Sequence, residues 1–467
     1  MDKKVIFFEL NEVPWRVVED FVRDHPMSNL ATMLPEMTKF QTHTEDKNLS
    51  PWVTWPTVHR GVSDAEHGIS DFGQDLTDVD RDHPPIWEIL VQNGVSTGVF
   101  GSFHTYPLPK DVERYDFYVP DVFAAGCECF PKKFEAYQEF NLTMSRASAR
   151  SVGSVPLGAA AKILLKLPGL GLKPRTAFDL ASQLVDERLQ NWKRIRRRTY
   201  QVVLAFDLFM KELNRKKPQF VTFFTNHVAS SMHRYWAARY PSDYDVFGYS
   251  DDWRSTYDHE IDWTVGKFDE MLGRLKTFAR QNPDYSLWIL SSMGQAATRA
   301  DNPTTTQLYL VDLDRFMAYF GISPSEFERR PTMLPRVTIR VDQDRVGDFE
   351  AKTADIKVGG EFKINCENLG KRIFAIRPPV IQDTEFDFCT IDGERVPFSD
   401  IGFESVAIDD KSGQTAYHIR QGTMFVWQPA NGKVESALQD IATVDVAPMV
   451  LDNFGIRRPA YMSQRSS

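Results

Sequence analysis

The chain of 467 residues carries 64 acidic against 55 basic side chains, a formal net charge of -9, which argues against a nucleic-acid partner or an anionic membrane surface. Its 42% hydrophobic and 25% charged content is ordinary for a globular protein, and the length allows one large α/β domain with insertions. Four cysteines, Cys127, Cys129, Cys366 and Cys389, lack a zinc-ribbon spacing and are assigned no role. Met1 leads almost directly into Val5-Ile6-Phe7-Phe8 with no long apolar leader, so a cytoplasmic location is expected.

Residues 4–10 are apolar and β-favouring except for Lys4 and Glu9, and they read as the first buried strand of a parallel sheet, ending at Asn11. A helix is expected over 16–23. In the segment 49–73, LSPWVTWPTVHRGVSDAEHGISDFG, 52–55 reads as a strand exit joined to a short helix beginning near Pro56. That places the Thr57 hydroxyl at a helix N-terminus, where free N–H groups and the helix dipole favour a phosphate or sulfate. A Pro-containing turn with a capping Thr is the alternative. A helix over 85–92 and a strand over 96–100 follow. Region 108–215 changes character, with a loop rich in Pro, Gly and aromatics and then helical periodicity. It reads as a helical insertion covering the site.

Within it, the basic run 193–198 reads as the solvated face of a helix, and 156–172, interrupted by Lys162, Lys166 and Pro168, falls short of a membrane span. No transmembrane segment is expected, and peripheral membrane contact through an interfacial helix stays open. A strand over 219–225 opens into Asn226, His227 and His233, and two histidines at a strand exit suit a metal. A helix over 258–279 and a strand over 285–290 lead to Ser291-Ser292-Met293-Gly294. Short β-favouring runs separated by turns make 336–414 a β-rich insertion. The core is therefore expected in three pieces, 1–107, 216–335 and 415–467, forming an α/β fold with a mostly parallel central sheet flanked by helices.

Thr57-Val58-His59-Arg60-Gly61 followed by His67-Gly68-Ile69 resembles the nucleophile segment of the alkaline phosphatase superfamily, in its type I phosphodiesterase and nucleotide pyrophosphatase branch. Thr105-Tyr106-Pro107, His233 with Trp236, His418 with Gly422, and the 445–459 exit add to the resemblance. It implies an alkaline-phosphatase-like fold, with Thr57 as nucleophile and His233 and His418 as ligands of one metal. His227 stands near the place of that metal's carboxylate ligand. The second metal's ligands are missing, because Asn11, Ser292 and Met293 stand where the family has Asp, Asp and His. At most one divalent metal is implied, zinc by ligand type, with His59 and Arg60 as candidate anion-binding groups. The implied function is a divergent hydrolase or transferase acting on a phosphate or sulfate ester of a small molecule or glycan. A catalytically silent relative that binds a phosphorylated or sulfated ligand or a protein partner is the alternative.

Overall fold

A computed structural model of the chain describes residues 4–147, 167, 169–245, 248–298, 306–381, 386–408, 414–429, 434 and 437–462. The apolar run near the N-terminus forms strand β1 (Lys4–Leu10) at the centre of an eight-stranded sheet. The other labelled strands are β2 (Met37–His43), β3 (Thr97–Phe100), β4 (Phe117–Val119), β5 (Phe220–Thr225) and β6 (Tyr285–Leu290). From edge to edge the order is Gln439–Ala442, β2, Gln421–Trp427, β6, β1, β5, β3, β4. β1 runs parallel to β5 and β6, while Gln421–Trp427 runs antiparallel to both β6 and β2.

Side chains alternate across a strand, so β1 supplies both faces of the sheet. Ile6, Phe8 and Leu10 join the core that includes Phe206, Phe209, Phe223 and Phe268, and Val5 and Phe7 join the opposite core with Trp55, Trp87 and Val446. Because β1, β5 and β6 are parallel, their carboxyl ends lie at one edge of the sheet, which presents Asn11, Glu12, Asn226, Ser291 and Ser292 together. Past β6 the chain forms β7 (Gly294–Ala297), which pairs with the strand Ala416–Ile419 and brings His418 opposite Gln295.

Several boundaries differ from the sequence reading. Region 108–215 supplies β4 to the sheet, and its helix Arg197–Lys216 packs on one sheet face, with Phe206 and Phe209 against Phe223. The basic run is tied down by acids, Lys193 with Asp186, Arg196 with Glu260 and Arg197 with Glu187. Most of the apolar stretch 156–172 lies outside the described residues. A separate core runs from Leu308 to Phe403, so it joins residues of the expected insertion 336–414 to residues that precede it. Its arginines clamp the loop after Ile69: Arg336 pairs with Asp71, and Arg340 with Asp75. Among the described residues no helix is long and apolar enough to cross a membrane.

The largest correction concerns 52–55. These residues are not a strand exit but belong to the helix Pro51–Arg60, in which every residue but Trp52 is buried. A helix buried on nearly every side, with Thr54, Thr57, His59 and Arg60 among its buried residues, has no amphipathic signature, and short runs are ambiguous by periodicity alone. Pro51 fits the first helical position, and the Ser50 carbonyl accepts from Val53 N–H and Thr54 N–H. Pro56 sits in the interior and has no N–H, which leaves the Trp52 carbonyl without its helical partner. His104 Nε2–H fills that place at 2.7 Å.

Candidate functional site

Thr57 is accordingly not at a helix N-terminus but in the last turns of Pro51–Arg60, and it is fully buried. Its hydroxyl donates to Asp46 Oδ2 at 2.7 Å and lies 3.1 Å from His67 Nε2. His67 Nδ1 accepts from the Ile69 N–H, so the neutral ring carries its proton on Nε2 and donates to Thr57. Burial, aided by the Arg60 charge, lowers the His67 pKa to about 4, which keeps that tautomer neutral. His67 is therefore not a base for Thr57. Asp46 also accepts from Thr44 Oγ1 and the Asp64 N–H, and burial raises its pKa against these hydrogen bonds.

His59 and Arg60, the candidate anion-binding groups, are both committed inside the protein. His59 Nε2 lies 2.6 Å from Glu9 Oε1, both side chains buried, and Arg60 pairs with Asp80 and donates to the His83 carbonyl. Glu9, the next-to-last residue of β1, is further held by Ser102.

A second group does converge at the strand ends. Glu12 follows β1 with its backbone in the left-handed region, φ 60, and its buried carboxylate meets two histidines from distant parts of the chain. Glu12 Oε2 lies 3.0 Å from His233 Nε2 and 3.3 Å from His418 Nε2. One ligand-type atom from each of the three falls within 4.8 Å of the others. His233 Nδ1 donates to the Ala416 carbonyl and His418 Nδ1 to the Leu49 carbonyl. With Nδ1 protonated, each neutral ring aims its Nε2 lone pair at a carboxylate oxygen, an arrangement that repels unless a proton or a cation sits at the centre. Glu12 itself responds to that positive charge: burial opposes ionisation, but His418 and His233 hold the carboxyl well below the usual range. Burial would lower the His418 pKa, yet Glu12 and the Leu49 carbonyl raise it.

The remaining contacts hold this group in place. Asn11 Nδ2 donates to Glu12 Oε1 at 2.7 Å, and Gln295 Nε2 donates to Glu12 Oε2 and the Ala229 carbonyl. Gln295 Oε1 is buried with no hydrogen-bond partner. The donor set of two imidazole nitrogens and one carboxylate, each imidazole oriented by a backbone carbonyl through its other nitrogen, fits zinc with a fourth position left open. The His233 side chain is 24% exposed, against 6% for His418 and 2% for Glu12, so the open side is the His233 side.

His227, the third histidine suggested by the sequence, is not among these ligands. It begins the helix His227–Arg239, and a separation of six residues rotates it about 240° from His233. It is buried, and neither ring nitrogen makes a hydrogen bond. Burial lowers its pKa to about 4, outweighing the neighbouring Thr264 backbone.

Where the family resemblance places a second metal, neutral groups satisfy one another. Asn11 accepts from Trp55 Nε1 and donates to Asn226, Ser292 Oγ lies 2.8 Å from Thr54 Oγ1, and Met293 is fully buried. Thr54, one turn before Thr57, is thus the hydroxyl beside the strand ends, linked through Trp55 and Asn11 to Glu12. Glu12, Gln295 and Thr54 were not singled out in the sequence. The available signal was a pair of polar residues, Asn11-Glu12, closing an apolar strand.

No family model matches the chain and no curated protein does. Two solved structures are similar over 98% of this chain and 96% of their own at 11% identity: murine ectonucleotide pyrophosphatase/phosphodiesterase 5, TM-score 0.42, and an inactive form of that protein in complex with AMP, TM-score 0.39. At this distance the similarity concerns the path of the chain alone, and no activity, substrate or metal follows from it.

Proposed function

We propose that this protein is a single-metal hydrolase or transferase of a phosphate or sulfate ester, with the ion held by Glu12, His233 and His418. The observation that carries the reading is the convergence of two imidazole Nε2 atoms, each ring oriented by a backbone carbonyl at its Nδ1, on one buried carboxylate oxygen. The ester class rests on the motif resemblance. A bound zinc ion would supply positive charge to polarise the ester and its leaving oxygen. Asn11 and Gln295 keep the carboxylate turned toward the histidines. Thr54, hydrogen-bonded to Ser292 at the strand ends, provides the nucleophilic hydroxyl in preference to Thr57, which lies one turn further along the helix. The partner of Thr54 is another neutral hydroxyl, Ser292, so it lacks an adjacent base, and turnover is low.

A second reading, a silent relative that binds an anionic ligand, is favoured by one observation: Thr54, Thr57 and Ser292 are all fully buried. Zinc content combined with turnover of p-nitrophenyl phosphate, bis-p-nitrophenyl phosphate and p-nitrophenyl sulfate separates the two. One zinc per chain and a rate lost in Thr54→Val at unchanged zinc content support the enzyme. Bound zinc without turnover of any ester leaves the silent reading, and absence of zinc binding sinks the metal assignment.

A further inference from the structure

The 44–49 loop, which joins β2 to the helix Pro51–Arg60, is held more firmly than a surface connection requires. At one end Arg420 Nη1 donates to the carbonyls of Thr44 and Asp46, at 3.0 and 2.8 Å. At the other, Asp64 Oδ2 accepts the N–H groups of Lys47 and Asn48. Between them the buried Asp46 carboxylate receives three donors: Thr44 Oγ1 at 2.8 Å, Thr57 Oγ1 at 2.7 Å and the Asp64 N–H at 2.9 Å. Only Thr57 ties the carboxylate to the long buried helix; Thr44 belongs to the loop and Asp64 to the short helix Asp64–His67.

The loop ends at Leu49, and the Leu49 carbonyl accepts the His418 Nδ1–H. That hydrogen bond decides which nitrogen of His418 carries the proton and therefore whether Nε2 faces Glu12 as a bare donor. We propose that Thr57 and Asp46 are positioning residues for the metal site: they pin the 44–49 loop so that Leu49 holds His418 in its Nδ1–H tautomer. The inference rests on the metal reading above and deepens it. It also gives the buried Thr57 hydroxyl a task that requires neither exposure nor activation. His67 Nε2–H completes the anchor by donating to Thr57 Oγ1, which orients the Thr57 proton toward Asp46.

The variants are Thr57→Val, which keeps the shape and removes the hydroxyl, Asp46→Asn, and Thr57→Ser as the conservative rescue. Val99→Ala, deep in the sheet core, serves as a purely structural control. Zinc affinity is read by competition with a chromophoric chelator, and ligand geometry by the visible spectrum of the cobalt-loaded protein. Loss of an outer-shell partner weakens metal binding about 10- to 100-fold; Thr57→Val and Asp46→Asn are expected to do so with an altered cobalt spectrum. Thr57→Ser restores both, and Val99→Ala changes neither.

A zinc Kd and cobalt spectrum in folded Thr57→Val identical to those of the unmodified protein overturn the proposal. The His418 tautomer is read independently of metal by 15N NMR of histidine-labelled protein at a pH alkaline enough that the ring is neutral. If the unmodified protein binds neither ion, the metal reading fails, and the loop is judged by this signal alone. The Nδ1–H form in the unmodified protein with a shifted tautomer in Thr57→Val supports the anchor; an unchanged tautomer refutes it. If Asp46→Asn does not fold, Thr57→Val decides.

Discussion

Replacing His227 with leucine separates this histidine from the two that converge on Glu12. His227 is buried with both ring nitrogens unpartnered and a pKa lowered by burial to about 4. An unfolded histidine titrates near 6.5, so below that pH the unfolded chain takes up a proton that the folded protein refuses. The sign is fixed: stability is undiminished above about pH 6.5 and is lost as pH falls toward about 4. Between pH 7.5 and 4.5 the loss from this residue amounts to about 2 to 3 kcal/mol by linkage. His227→Leu removes it, and at pH 7.5 it also relieves the burial of unsatisfied nitrogens, a gain of about 1 kcal/mol. The assay is urea denaturation of both proteins at the two pH values, with zinc content measured on each. The expected result is a shallower acid loss in the variant and an unchanged zinc content. Equal acid losses would refute the burial argument, and a fall in bound zinc would restore His227 to the ligand set.

The other expectations concern the strand ends and their supports. Glu12→Gln keeps the shape but removes the charge that both histidines face, so zinc affinity measured by chelator competition falls more than the roughly 100-fold that an outer-shell partner can cost; a smaller change means that the carboxylate is not a ligand. Burial raises the Asp121 pKa to about 6 against the Phe123 and Thr105 hydrogen bonds. Its carboxyl therefore favours folding below the unfolded value near 3.9 and loses that advantage as pH rises through about 6. Asp121→Asn should accordingly gain stability relative to the unmodified protein between pH 4 and 7.5, and a parallel pair of stability curves contradicts this. At Gly294 a Cβ would overlap the Gln421 carbonyl and press on Pro14. Gly294→Ala is expected to destabilise by about 1 to 3 kcal/mol in urea and to weaken zinc binding through its neighbour Gln295; no effect on either shows that the strands can separate freely.

The sequence by itself determined the elements whose signal is local. The apolar runs at 4–10, 219–225 and 285–290 formed strands because a continuous apolar segment of that length fits a sheet covered on both sides. The helix Glu260–Gln281 follows from its apolar stripe. Such runs also fixed where the chain would be polar, at Asn11, Asn226 and Ser291, whereas His418 became a candidate only through the motif resemblance, which also pointed to His233. Other elements had no local signal. β2 carries a polar majority, MTKFQTH, and is a strand because Gln421–Trp427 and Gln439–Ala442 pair with it on either side. The helix at Pro51 hid behind β-favouring residues, and that one misassignment moved Thr57 from an expected anion seat at a helix N-terminus to a buried position beside Asp46. Glu12, His233, His418 and Gln295 are brought together by strand order, and no periodicity encodes which polar side chains meet across that separation. Packing decided which side chains meet: helical rotation turned His227 into the core, while parallel β1 and β6 carried Glu12 and Gln295 to the same edge.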